Sequence, residues 1–376
     1  MSTTLENYQS ALEQVCTASV ASHAAAVDRD GAFPAESIQA LASAGILGAL
    51  SATESGGLGL GLPGAVQIVR RVAEDCGSTA MVLVMHYCGV SVLEAHAPKD
   101  VRTAAASGAH LSTLAFSETG SRSHFWAPVG TAAANNGRVH LNASKSWVTS
   151  ASHATAYVWS SKPVAAEGAS TLWLVPAGSP GLTVAGPFEG LGLRGNDSSP
   201  ISAVAVPVPA SAMLGADGQG FDIMMGVVLP TFSVLNAACS IALMNGAIRR
   251  TVEHVNHTRH ADTGTTLAEL PTIRSYVARM RIKADMADAL LNDTVAALGA
   301  GRPDAMLRVL ECKAAASEHA NDVLDLAMRV CGGAAFRKDV AVERLFRDAR
   351  AAGVMAPTTD VLYDFIGKAV CGLPLF

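Results

Sequence analysis

The pattern of apolar and polar positions divides the chain into two helical regions that flank a region of short strands. Apolar residues that recur at i, i+3 and i+4 predict helices. This spacing covers residues 66–96, 221–258, 271–299 and 304–331. Pro34 begins an earlier helix that Gly45 ends, and residues 358–360 begin a last one.

The composition changes between Leu111 and Pro207. Short runs rich in Thr, Val, Ser and Trp are separated there by glycines and prolines. Short alternating runs at regular spacing predict a small β-domain. The sequence therefore predicts an α+β fold that is mostly α. Its domains would be an N-terminal helical domain at 1–110, a middle β-domain at 111–218 and a helical bundle at 219–376.

Composition narrows the possible partners. Half of the 376 residues are apolar, the net charge is −5 and there is no run of basic residues. Nucleic acids and anionic membrane surfaces are therefore not expected as partners. The first residues lack the pattern of a signal peptide, and polar residues interrupt the later apolar runs before about 18 positions. We expect no membrane span and a cytoplasmic protein.

The seven cysteines are scattered, and none forms a CxxC pair. This favours reduced thiols in the cytoplasm. No cluster of His, Cys and Glu has the spacing of metal ligands, so no metal is expected.

Several motifs, in order along the chain, resemble those of the acyl-CoA dehydrogenase family. Residues 117–124 match its Thr-Glu-Pro-x-Ala-Gly-Ser-Asp segment, and residues 142–149 match Asn-Gly-x-Lys-x-Trp-Ile-Thr. Further matches are the Gly-x-Arg loop at 192–198, the Gly-Gly loop at 332–336 and the segment at 342–350. The resemblance implies a small β-barrel or sheet between two helical domains, a C-terminal four-helix bundle, and bound FAD.

The resemblance also implies the residues that contact the cofactor. Its flavin ring would lie against Phe116, Ser117, Trp147 and Thr149. Ser123 would lie towards the phosphates or the acyl thioester, and Arg122 would pair with an anionic group of the substrate. The remaining FAD contacts would be Arg259, Gly333 and Thr358, together with Arg329, which stands where the family has a glutamine that touches FAD, so the adenine half of the site is altered. Several have plainer alternatives: Trp147 as a core residue with Ser117 and Thr149 as ordinary strand residues, Arg122 as a surface cation, Gly333 as a helix C-cap and Thr358 as a helix N-cap.

The family's reaction needs a base for the α-proton of an acyl thioester. By resemblance this base is a glutamate nine residues after Arg347, where this chain has Ala356. Some members carry it on the first long C-terminal helix, which here has Phe232 followed by Ser233. None of these three side chains can serve as the carboxylate base. The other candidates are His124, Asp360 and Glu118, although a loop histidine is commonly solvated and Asp360 suits a helix N-terminus.

Three functions remain open from the sequence. The first is an FAD-dependent oxidoreductase that acts on an acyl-CoA or acyl-carrier thioester with a relocated base. The second is a flavin-dependent monooxygenase on the same fold, which needs no such base. The third is a non-catalytic partner subunit of a hetero-oligomer. In each case we expect a dimer or tetramer, with a homotetramer as the principal expectation.

Overall fold

The computed structural model describes residues 8–375, which form two compact units. Unit 1 holds the described residues up to Val69 together with residues 78–189 and 194–232. Unit 2 holds residues 70–77, 190–193 and 233–376, again within the described part.

The α-helices lie at both ends of the chain. Their bounds are α1 (Tyr8–Val15), α2 (Ala21–Asp30), α3 (Ala35–Ser43), α4 (Gly61–Ala73), α5 (Gly77–His96), α6 (Lys99–Ala106), α7 (Gly220–Ile223), α8 (Leu229–His257), α9 (Pro271–Gly299), α10 (Ala305–Cys331), α11 (Val342–Ala349), α12 (Ala351–Val354) and α13 (Thr359–Val370). π-Helical turns at Cys16–Val20 and Met224–Val228 join α1 to α2 and α7 to α8. The helices predicted at 271–299 and 304–331 match α9 and α10, and the stretch 221–258 is helical from α7 to α8, whereas the stretch 66–96 is divided between α4 and α5.

The strands form two four-stranded sheets in unit 1. The first has the order β1 (Ser112–Ala115), β4 (Ala156–Ser161), β5 (Thr171–Pro176), β8 (Met213–Leu214). The second has the order β2 (Thr131–Asn135), β3 (Arg138–Val148), β7 (Ser199–Pro209), β6 (Leu182–Val184). The β1–β4 pair is parallel, and the other pairs are antiparallel. The predicted fold class, α+β and mostly α, is confirmed.

One apolar core draws on both sheets, and two tryptophans fill much of it. Trp159 of β4 and Trp173 of β5 stand opposite each other in register and are fully buried. The indole Nε1 of Trp173 donates to the Ser161 hydroxyl at 2.9 Å, so its polar atom is satisfied inside the core.

A buried histidine connects α5 to the first sheet. The Nδ1 atom of His86 accepts from the backbone N–H of Ser112 at 3.1 Å, which leaves Nε2 to donate to the Leu47 carbonyl at 3.1 Å. Burial, together with nearby His110, lowers the pKa of His86 to about 3. The ring is therefore neutral at physiological pH and acts as a structural hydrogen-bonding group.

Unit 2 is helical, and α9 packs along α10. Lys283 of α9 pairs with Asp322 of α10 at 2.5 Å. In the turn between the two helices, the Arg302 guanidinium binds Asp293 and Asp304, each at 2.7 Å. The antiparallel return of the chain is thus fixed by charged hydrogen bonds at the turn.

Two helical stretches are longer and more apolar than the sequence interpretation allowed. Gly77–His96 and Gly220–His257 are long and apolar enough to cross a bilayer, whereas we expected polar residues to interrupt every such run. In the structure, 78% and 89% of their apolar windows are buried within the protein. Burial of this extent is typical of the core helices of a globular fold.

Trp173→Ala tests the sheet core. We expect a loss of about 3–5 kcal/mol in the free energy of unfolding, because a large buried side chain is replaced by a cavity. Val204→Ala, at an exposed position of β7, is the control and should change it by less than about 0.5 kcal/mol. Urea unfolding monitored by circular dichroism measures both. Equal effects of the two substitutions would contradict the proposed core.

Candidate active site

Trp147 is presented to solvent by an irregularity in β3. The register between β3 and β7 shifts between Lys145 and Val148, and Trp147 has a left-handed backbone with φ +56°. The residue is 69% exposed, and its ring and that of Phe188 lie edge to face at a centroid distance of 6.3 Å. A bulky residue with positive φ is strained, and such strain concentrates at functional sites.

The segment after Trp147 is anchored to the loop that precedes β7. The hydroxyls of Thr149 and Ser198 lie 3.1 Å apart and are both buried. Next to them, Ser150 N–H donates to the Asn196 carbonyl at 2.9 Å. The side chain of Thr149 is thus used in a buried contact with Ser198.

A buried ion pair lies beneath the irregular part of β3. Lys145 Nζ is 2.6 Å from Glu118 Oε1, and it also donates to the carbonyl and hydroxyl oxygens of Ser160 at 2.7 and 2.9 Å. The second oxygen of Glu118 accepts from the N–H groups of Val129 and Gly130, each at 2.8 Å. Burial lowers the pKa of Lys145 to about 8, and the Glu118 carboxylate opposes this shift.

These contacts define the role of Glu118. Each carboxylate oxygen already accepts hydrogen bonds from buried donors, and the side chain is almost fully enclosed. A base must reach the proton that it abstracts. These contacts favour a structural role for Glu118 over the role of a base.

The other residues of the 116–124 segment are divided between the core and an exposed turn. The ring of Phe116 is buried and stacks on Phe125, whereas Ser117 is half-buried and its carbonyl accepts from the Ser146 N–H. Phe116 is thus a core side chain, and any cofactor contact there involves its backbone. Arg122, Ser123 and His124 lie in the turn that follows: Arg122 and His124 are exposed and Ser123 is half-buried.

Position 356, where the resemblance implies a glutamate base, lies in unit 2. Ala356 is half-buried in the short segment between α12 and α13. Thr358 is the N-cap of α13, because its hydroxyl accepts from the Val361 N–H at 3.5 Å. Asp360 lies in the first turn of α13 and is exposed. Its charge contributes, after burial and with Glu318, to a raised pKa of Tyr363.

Three of the residues assigned to the rest of FAD, Arg259, Arg329 and Gly333, are exposed in unit 2. Arg259 donates to the Gly264 carbonyl at 2.8 Å, and the Arg329 guanidinium lies 5.1 Å from the centre of the Tyr276 ring. A Cβ added at Gly333 would meet no described atom within 4 Å, so the backbone is open to a close approach there.

Two buried lysines were not recognised as important from the sequence. Lys145 is one position of the motif at 142–149, and Lys313 lies outside every matched motif. A signal for Lys313 did exist, since it lies three residues after Leu310 and directly before Ala314, both on the apolar face of α10. A lysine at such a position is expected to be buried with polar partners.

The ion pair of Glu118 and Lys145 can be tested by a double-mutant cycle. Glu118→Gln and Lys145→Met should each lower the free energy of unfolding by about 3–5 kcal/mol, because each leaves a buried charge uncompensated. The double variant should lose clearly less than the sum of the two.

The control for this cycle is Lys338→Met, which removes an exposed partner of Glu343 at 2.8 Å. It should cost less than about 1 kcal/mol. Strict additivity of the two buried substitutions in chemical unfolding would show that they do not interact.

Profiles of known protein domains match nearly the whole chain. Residues 2–105 match the acyl-CoA dehydrogenase N-terminal domain, residues 113–206 the middle domain and residues 218–371 the C-terminal domain. Among similar proteins, the acryloyl-CoA reductase (NADH) of Anaerotignum propionicum is 27% identical over 92% of this chain and 88% of its own. The cyclohex-1-ene-1-carbonyl-CoA dehydrogenase of Geobacter metallireducens is 26% identical over 96% of both chains.

Solved structures agree on the fold. The butyryl-CoA dehydrogenase of Megasphaera elsdenii superposes with a TM-score of 0.91 over 97% of both chains, at 21% identity. The domain profiles, in their order, and this shared fold show that the chain belongs to the acyl-CoA dehydrogenase family.

Proposed function

We propose that this protein is an FAD-dependent oxidoreductase that acts on an acyl thioester. The observation that carries the proposal is Trp147, a large aromatic side chain left exposed on a strained backbone at the position where the family motif has its tryptophan. A ligand that covers an exposed indole removes apolar surface from water, which favours binding. A flat apolar ring is the ligand that an exposed indole suits best.

The ring half of FAD fits the residues of unit 1. Trp147 offers a stacking surface, and the fixed 149–151 segment offers a rigid backbone beside it. The adenine half differs from the family pattern, because Arg329 stands where a glutamine is expected. Two exposed arginines, Arg259 and Arg329, suit the phosphates, since guanidinium groups bind them through paired hydrogen bonds. Bound flavin would supply the acceptor for a hydride from the substrate.

The proton-transfer step needs another group than a glutamate at position 356. His124 and Asp360 remain as candidates, because both are exposed, whereas the Glu118 carboxylate is enclosed and already accepts hydrogen bonds. Asp360 would act as a carboxylate one turn beyond the usual position, whereas His124 would act as a neutral imidazole. A substrate with a more acidic α-proton or an internal leaving group would reduce the demand on either.

The absence of a carboxylate at Ala356 also favours the two alternatives: a monooxygenase, which needs no α-proton base, and a partner subunit that relies on another chain. We place them second, because the flavin-ring residues are retained. In each case we propose an oligomer, with a homotetramer as the expected form. Light scattering of the purified protein, together with a search for a second homologous chain, tests this point.

The proposed activity predicts a flavin spectrum that acyl-CoA bleaches. Purified protein, loaded with FAD if necessary, is mixed anaerobically with butyryl-, octanoyl- and palmitoyl-CoA and then with branched acyl-CoAs. Bleaching by one of them is expected. A flavin that stays oxidised with all of them but turns over with oxygen and an external reductant indicates the monooxygenase. Failure to bind FAD leaves only the partner subunit.

Trp147→Ala should weaken flavin binding about tenfold or more, because the stacking surface is lost. Trp147→Phe keeps an aromatic ring and should recover most of the affinity. Titration of apoprotein with FAD, followed by flavin absorbance, measures both against Val204→Ala, an exposed position of β7 outside the proposed contacts. Unchanged affinity in Trp147→Ala would refute the assignment of Trp147.

A further inference from the structure

Lys313 of α10 is fully buried and binds the segment that carries Ala356. Its Nζ atom donates to three carbonyl oxygens: those of Ala352 at 3.1 Å, Met355 at 3.1 Å and Pro357 at 2.9 Å. An ammonium has three N–H donors, so these acceptors match it in number. Carbonyls on both sides of residue 356 are thus bound to the same cation.

The chemistry of these acceptors explains the use of a lysine. Of the three acceptors, only Ala352 belongs to α12, which ends at Val354, whereas Met355 and Pro357 lie in the segment that follows. Carbonyls at and beyond a helix end lack the N–H partners that a continuing helix would provide. Burial lowers the pKa of Lys313 to about 7, which expresses the cost of removing the ammonium from water. The carbonyl contacts offset this cost, since hydrogen bonds to a charged donor are stronger than neutral ones.

Two further contacts fix the same segment independently of Lys313. Asn236 of α8, which is buried, donates from Nδ2 to the Met355 sulfur at 3.4 Å. On the other side of Ala356, the Thr358 hydroxyl caps α13. The segment from Met355 to Thr358 is therefore contacted from α10 at its backbone and from α8 at the Met355 side chain, and it ends in the cap of α13, although the alanine side chain at its centre has no reactive group.

We propose that Lys313 is a positioning residue that fixes the backbone around position 356, and that this segment is still arranged to present a proton-accepting side chain. The inference rests on the proposed function, since it concerns the α-proton of an acyl thioester. A carboxylate at this position would take that proton as the α C–H bond breaks. The electron pair of that bond would form the new double bond while a hydride leaves the β-carbon for the oxidised flavin.

The test is the gain of activity in Ala356→Glu and its dependence on Lys313. Flavin-loaded protein is mixed anaerobically with butyryl-, octanoyl- or palmitoyl-CoA, and the rate of flavin bleaching is measured in a single turnover. Ala356→Glu should raise this rate about tenfold or more over the wild type. Adding Lys313→Met should lower the gained rate roughly 10- to 100-fold, as expected for a misplaced catalytic group.

A positioning role also has a signature that a purely structural role would lack. Flavin content and the Kd for the thioester, read from the shift of the flavin spectrum, should remain close to those of Ala356→Glu alone, whereas the melting temperature should fall because three carbonyls lose their donor. The matched control is Lys283→Met in the same background, which removes a partly exposed lysine of α9 that pairs with Asp322. It should leave the gained rate unchanged.

Where Lys313→Met fails to fold, Lys313→Gln takes its place, because an amide retains N–H donors for part of the carbonyl set. It should give an intermediate rate. A Lys313 variant that folds and keeps the full gained rate overturns the positioning role and leaves the proposed function intact. The positioning role is also overturned if Ala356→Glu binds flavin and thioester but its flavin is bleached no faster than that of the wild type. A chain that binds neither flavin nor thioester overturns both.

Discussion

The ion pair between Lys145 and Glu118 is the constraint on which the candidate flavin surface depends. A single buried ammonium connects β3 to the segment after β1 and to Ser160 of β4, and so joins strands from both sheets. Because Lys145 must point inward to reach these partners, the chain has to correct its register before Val148 re-enters the core. The correction places Trp147 outside. Exposure of the tryptophan is thus a consequence of the irregularity that lets both Lys145 and Val148 point inward.

The two buried lysines differ in the groups that compensate their buried ammonium charge. Lys145 is compensated by a carboxylate, so its charge is balanced as an ion pair. Lys313 is held by three backbone carbonyls, which offer partial charges only. The first arrangement connects β-strands within unit 1. The second acts on one short segment of unit 2 and leaves the ammonium with a pKa close to neutrality.

The sequence predicted most of the elements and part of the site. The apolar spacing located α9 and α10 to within about one residue, because strong helical periodicity needs no knowledge of tertiary contacts. The motif around Trp147 identified a flavin surface by resemblance. The sequence did not reveal that Glu118 forms an ion pair with Lys145, since pairing across 27 residues depends on which strands become neighbours. Nor did it reveal that the segment at Ala356 is bound from α10, because nothing in the local pattern links Lys313 to carbonyls about 40 residues away.

The exposure of Trp147 also has an optical consequence. The chain has four tryptophans, and Trp126, Trp159 and Trp173 are all buried. Buried indoles emit at shorter wavelengths and are shielded from ionic quenchers, whereas the indole at 147 meets solvent over most of its surface. The long-wavelength, iodide-quenchable part of the intrinsic fluorescence therefore originates at one position on β3. The native chain thereby reports on the occupancy of its own candidate flavin surface without any label.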